Sequence, residues 1–170
     1  MLSKIIKGID WVQNWFGYLV AMLIFPLCAI MLYEVLMRYI FNKPTSWGFE
    51  LTTYIYGIHF MLGLGYTLLY NNHVRVDVLV SLLSKRKQVI ISLLCHLVLL
   101  LPVFALLCYA SFDYAWTSVM RDEHSWSSWG PALYPYKLLM SLGFFMFFIQ
   151  GVSSFLKQIQ GLRGKEPLNP

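Results

Sequence analysis

The apolar positions of this chain fall into four long runs, at about residues 16–36, 49–70, 89–109 and 134–155, separated by short polar and charged clusters. A helix rises 1.5 Å per residue, so about 20 residues cross the hydrocarbon of a bilayer. Each run is long enough. None alternates polar and apolar positions as a barrel strand would, and only helices and closed barrels satisfy their backbone in lipid. The pattern predicts an all-α polytopic membrane protein with four transmembrane helices. Pro26 and Pro102 sit inside the first and third runs and predict kinks, because proline has no N–H for the preceding turn.

Shorter patterns lie between and beside the runs. Ile5, Ile6, Ile9, Val12 and Phe16 fall at helical spacing, with Lys4, Lys7, Asp10 and Asn14 between them. Residues 1–15 therefore read as a short amphipathic helix at the membrane surface. Val78, Leu79, Leu82 and Leu83 form a similar interfacial stripe before Lys85-Arg86-Lys87. Residues 157–170 end in "GLRGKEPLNP", a Gly- and Pro-rich stretch that predicts a loose tail. No internal repeat is evident, so residues 1–170 read as a single membrane domain.

Composition supports the pattern. The chain is 58% hydrophobic and 12% charged, against about 25% charged in soluble domains. The net charge of +5 is scattered between apolar runs and builds no basic stripe, which argues for lipid headgroups and against nucleic acid. Nine Lys and Arg residues flank the side that carries both termini and the middle connection, and four flank the other side. The positive-inside rule then places both termini in the cytoplasm. Cys28, Cys95 and Cys108 all lie in apolar runs without a CxxC and read as small core residues. The N-terminus lacks the early small-residue cleavage site of a secretory signal.

Several side chains are candidates for chemistry. His59 and His96 lie inside the second and third runs. Two histidines facing each other at one depth would offer axial ligands to haem, so an electron-transfer subunit is the alternative reading; packing histidines are the simpler one. Glu34 and Arg38 stand four apart, as a helical ion pair requires, and a tight hairpin would bring Arg38 near Glu50 as well. His73, Arg75 and Asp77 alternate after the second run. An arginine among three side chains of mixed sign makes a poor metal site, so the three read as a structural clasp. Arg121, Asp122, Glu123 and His124 stand beside Trp126 and Trp129, as either a solvated loop or a docking surface. Gly57, Gly63 and Gly65 would let a partner helix approach the second run closely. No hydrolase pair, phosphate loop, metal-spaced cluster or activated nucleophile is present in the pattern, so no catalytic, cofactor or metal residues are assigned and the chain does not read as an enzyme.

The stretch "EVLMRYIFNKPTSWGFELTTYIYGIHFMLGLGYTLLYNNHVRVDVL", Glu34–Leu79, resembles the small membrane subunit, of DctQ type, of tripartite ATP-independent periplasmic (TRAP) transporters. "RYIFNKPTSW", Glu50 and "HVRVD" carry the resemblance, and "YPYKLLMSLGFFMFFIQG" fits it more loosely. Where the family often has two adjacent acids, this chain has Phe49-Glu50. The resemblance implies a scaffold in a bacterial inner membrane. Such a subunit braces a large membrane subunit, which moves an organic acid with a sodium gradient and binds the sodium. It also helps dock a periplasmic substrate-binding protein, with Arg121, Asp122, Glu123, His124 and Trp126 as possible contacts.

Overall fold

The computed structural model describes residues 2–70 and 84–162. They form an all-α bundle of four helical passes. The first pass is two helices in line, α1 (Leu2–Met22) and α2 (Ile24–Tyr39). Pro26 explains the break at Leu23. It offers no N–H to the Met22 carbonyl, and its ring crowds the preceding turn. The Leu23 N–H turns to the Val20 oxygen at 3.0 Å, and the Leu27 N–H returns to the helical pattern on Leu23 at 3.2 Å. Among the described residues no helix break separates residues 1–15 from residues 16–36; the break in this pass lies at Leu23. The apolar stretch Ser3–Tyr39 is 37 residues, or about 55 Å. That exceeds the roughly 30 Å of hydrocarbon, so the pass is strongly tilted or its first turns lie outside the hydrocarbon.

The second pass is α3 (Gly48–Leu69). The third joins α4 (Lys85–Cys95), a π-helical turn (His96–Leu100) and α5 (Leu101–Met120). Here Pro102 is absorbed without a break: the Leu101 N–H reaches back five residues to the His96 oxygen. The apolar part of this pass is Leu93–Met120, shifted toward its C-terminal end from the expected 89–109. The fourth pass is α6 (Tyr134–Leu162). It continues past residue 155, so residues 157–162 of the expected loose tail are helical.

Among the described residues, three passes are both long and apolar enough to cross a membrane: Ser3–Tyr39, Leu93–Met120 and Tyr134–Gln160. Helix α3, at 22 residues, is also long enough, at about 33 Å, but carries more polar residues. Its position explains this. It packs most extensively against α6, then against α1 and α2, while α5 packs against α6. Many of its polar side chains thus meet protein rather than lipid.

Glycine sets the spacing within the bundle. A Cβ on Gly143 of α6 would stand 2.8 Å from the Met61 backbone oxygen of α3, so only glycine permits that approach. The Tyr136 hydroxyl occupies the space over Gly57, and the Gln13 amide that over Gly65. Two of the three glycines expected to receive a partner therefore receive side chains of this chain, and Gly63 lies near Val20 of α1. Between α5 and α6, the ring centroids of Phe104 and the buried Phe147 are 4.2 Å apart.

Gly143→Ala should lower the melting temperature in detergent, by about 1–3 kcal/mol of overpacking, because the obstructing atoms are backbone. Gly8→Ala, where nothing stands within 4 Å of the added carbon, should melt at or above the parent temperature. Equal melting of the two variants would contradict the close approach of α3 and α6.

Candidate functional site

The polar side chains gather at the two ends of the bundle. One end carries the connections 40–47 and 121–133, and is called here the loop end. Glu34, buried near the end of α2, is the hub of the first connection. It accepts from Arg38 Nη2 at 2.9 Å, from the Thr45 N–H at 3.4 Å and from the Thr45 hydroxyl. The same Thr45 Oγ1 accepts the Gly48 N–H at 3.1 Å, which caps the start of α3. Glu34 and Thr45 thus fasten the end of α2 to the beginning of α3. Between them Asn42 takes a left-handed φ of 50°, which asparagine tolerates, and the Lys43 N–H closes on the Met37 oxygen at 2.9 Å.

Glu50 does not join this hub. Its carboxylate accepts from the Tyr54 hydroxyl one turn along and from the Ser127 hydroxyl of the second connection. The expected pairing of Arg38 therefore holds for Glu34, and Glu50 lies elsewhere, because its place in the first turn of α3 faces the 121–133 segment. Two acids read as one cluster in fact fasten two different connections.

The second connection is itself a fixed structure. His124 and Ala132 pair as an antiparallel bridge. The Ser125 N–H donates to the Pro131 oxygen at 2.9 Å and the Leu133 N–H to the Glu123 oxygen at 2.8 Å. Lys137 of α6 is buried, with its Nζ 2.6 Å from Glu123 Oε2 and 3.9 Å from the Tyr114 ring centroid. The Lys137 ammonium holds the Glu123 carboxyl below the usual range for glutamate. Glu123 therefore fastens the connection to α6 while part of its side chain stays exposed. Arg121, Asp122, His124 and Trp126, grouped with it from the sequence, are all exposed, and Trp126 is completely so.

At the opposite end lies a polar cluster that the sequence reading missed. Asp10 of α1 pairs with Lys157 of α6 at 2.8 Å and accepts from Gln150 Nε2 and Ser153 Oγ, each at 3.1 Å. The Tyr70 hydroxyl donates to Asn14 Oδ1 at 2.7 Å. Gln13 and Gln150 are fully buried. Asp10 was read as part of a solvated face. The signal that could have found the cluster is the spacing of Asp10, Gln13 and Gly17 on α1 with Gln150, Ser153 and Lys157 on α6, steps of three and four in both. Because these contacts bring α1, the end of α3 and the end of α6 together, the start of α1 and the end of α6 lie at one end of the bundle.

His59 and His96 do not form a pair. His59 donates from Nδ1 to the Val20 oxygen of α1 at 2.9 Å. His96 Nδ1 faces the Gln158 amide of α6 at 3.4 Å. Each is turned to a different helix, which leaves the haem reading without support. His73, Arg75 and Asp77 lie outside the described residues.

The family model of the tripartite ATP-independent periplasmic transporters, DctQ component, matches residues 27–161. A comparison with curated proteins finds no significant match.

The Glu123–Lys137 contact has a pH signature. A carboxyl held below its ordinary value stabilises the fold above the unfolded pKa, and that contribution is lost as pH falls through the folded one. Melting temperature should therefore be steady from neutrality to about pH 4.5 on this account and fall below it. Glu123→Gln should melt lower at neutral pH and show a shallower acid limb. An unchanged acid limb would remove Glu123 from the fastening of the loop.

Proposed function

The chain belongs to the DctQ component family of tripartite ATP-independent periplasmic transporters, and we propose that it braces the large membrane subunit and helps dock the substrate-binding protein. It is a multi-pass membrane protein and the small permease component of such a transporter. The observation that carries the bracing role is the way its polar groups are used. Asp10, Glu34, Glu50 and Glu123 all make contacts within the chain, while large apolar side chains such as Trp11, Trp15, Phe25 and Leu106 point outward. Such a body offers a rigid, apolar exterior to another membrane subunit rather than a polar path for a solute. On this reading the large subunit binds sodium and moves the organic acid, the binding protein selects it, and this chain catalyses no reaction.

The basic asymmetry supports an inner-membrane protein with both termini in the cytoplasm. The 121–133 connection then faces the periplasm, where Arg121, Asp122, His124 and Trp126 are the exposed groups available to the binding protein. Glu123 belongs with them, since 38% of its side chain stays exposed while it pairs with Lys137.

After the native cysteines are replaced, an impermeant thiol reagent added to intact cells should label Ser128→Cys and leave Ser84→Cys untouched. The reverse pattern would invert the topology. Affinity purification of the chain, expressed with its neighbouring genes, should bring a large membrane subunit in roughly equal amount; a chain recovered alone would argue against bracing.

Trp126→Ala combined with Asp122→Lys should lower uptake at limiting binding protein by about tenfold or more, the scale of an aromatic anchor at an interface. The yield of the membrane complex should not change. Unaltered uptake would leave the loop without a docking role.

A further inference from the structure

Helix α5 has two opposite faces. Toward α6, the Phe104 ring meets Phe147, the Ser111 carbonyl accepts the Ser141 hydroxyl at 2.7 Å, and Ser111, Ala115 and Ser118 are buried. On the other face Pro102, Leu106, Tyr109, Asp113, Trp116 and Met120 are all exposed. Their steps alternate strictly between four and three, the spacing of a seam between two helices.

Asp113 stands within that seam. It is the one Asp, Glu, Lys or Arg between Leu93 and Met120, and among the described residues it makes no ion pair. The apolar stretch Leu93–Met120 is 28 residues, or about 42 Å, close to the roughly 40–45 Å of a bilayer with its headgroup layers. Those layers then take about 6 Å at each end, against roughly 30 Å of hydrocarbon. Asp113 stands about 10 Å inside Met120 along the helix, and so within the hydrocarbon.

Three kinds of occupant fit an apolar seam by shape, and charge separates them. Acyl chains give a carboxylate neither a donor nor a counter-charge. A second copy of this chain, inserted with the same topology, is related by an axis along the membrane normal and sets Asp113 against Asp113 at one depth. A helix of another subunit with a Lys or Arg at that depth neutralises the acid. The polar pair then fixes its register while the apolar positions on either side pack.

We infer that the outward face of α5 seats one transmembrane helix of the large subunit, apolar at its contact positions and carrying one basic side chain that pairs with Asp113. The inference rests on the bracing reading for the identity of that subunit; the seam and its charge fix where on this chain the subunit sits.

The test uses the membrane complex purified through a tag on this chain. A photoreactive benzoylphenylalanine in place of Tyr109 should join this chain to the large subunit on irradiation. Asp113→Lys should lower the amount of large subunit recovered several-fold, and Asp113→Asn should lower it less. Replacing one intramembrane Lys or Arg of the large subunit with Asp should restore recovery with Asp113→Lys and weaken it with the parent chain. A photoproduct with a second copy or with lipid alone would overturn the proposal, as would unchanged recovery in both Asp113 variants. The photoproduct decides the matter alone if Asp113→Lys fails to insert. In each of these cases the parent chain still brings the large subunit, which separates failure of the seam from failure of bracing; a parent chain recovered alone sinks both.

Discussion

Inside hydrocarbon, apolar side chains gain little by leaving lipid for one another, and this chain has to hold four passes together under that constraint. It does so with close backbone approach in the middle and polar contacts at the ends. Gly143 lets the α6 backbone reach the carbonyl of Met61 on α3, where dispersion between well-packed atoms does the holding. At one end Asp10, Lys157, Gln150 and Ser153 join α1 to α6. At the other, Glu34 joins α2 to the start of α3, and Glu50 joins α3 to the second connection. Each polar contact is favourable there for the reason it would be modest in water: the alternative is a polar group facing lipid.

The same constraint decides what could be read from the sequence. The four passes were legible, because twenty apolar residues in a row mean one thing in a bilayer. The Glu34–Arg38 pair was legible because four-residue spacing brings side chains together on any helix. The cluster around Asp10 was not. A soluble amphipathic helix turns its polar face outward, and that expectation placed Asp10 in water. In lipid the preference reverses: Gln13 is buried and Trp11 and Trp15 are exposed. Gly57 and Gly65 misled for a related reason. A small residue marks a close approach, but spacing alone does not tell whether the visitor is a partner helix or a side chain of the same chain, here Tyr136 and Gln13. Glu50 was misassigned because the pattern contains no information on how the distant 121–133 segment folds back over α3.

The two prolines show how backbone groups are satisfied at membrane depth. Each removes one N–H from a helix, and lipid cannot replace it. Before Pro102 the chain widens into a π turn, in which the Leu101 N–H binds the His96 oxygen. Before Pro26 it breaks at Leu23, and the nearby Val20 oxygen receives both the Leu23 N–H and the His59 imidazole. The His59 proton must then sit on Nδ1, since a carbonyl only accepts. A histidine in an apolar run, first read against a haem site, is thus the donor that α3 brings to the interrupted helix. It couples the direction of the first pass to the position of α3.

That coupling bears on how the chain can act within a transporter. A moving element needs joints, and among the described residues the two places where a pass departs from regular helix are both held from outside. The break at Leu23 is held by His59, and the π turn lies where Gln158 of α6 meets His96. The connections at the loop end are held in the same manner, by Thr45 on Glu34 and by Ser127 on Glu50. Asp113 and Asp122, by contrast, are exposed, and the exposed apolar side chains cover the outward faces of α1, α2 and α5. Fixed joints with sticky outer faces are the properties of a part that transmits support, in keeping with the bracing role proposed above.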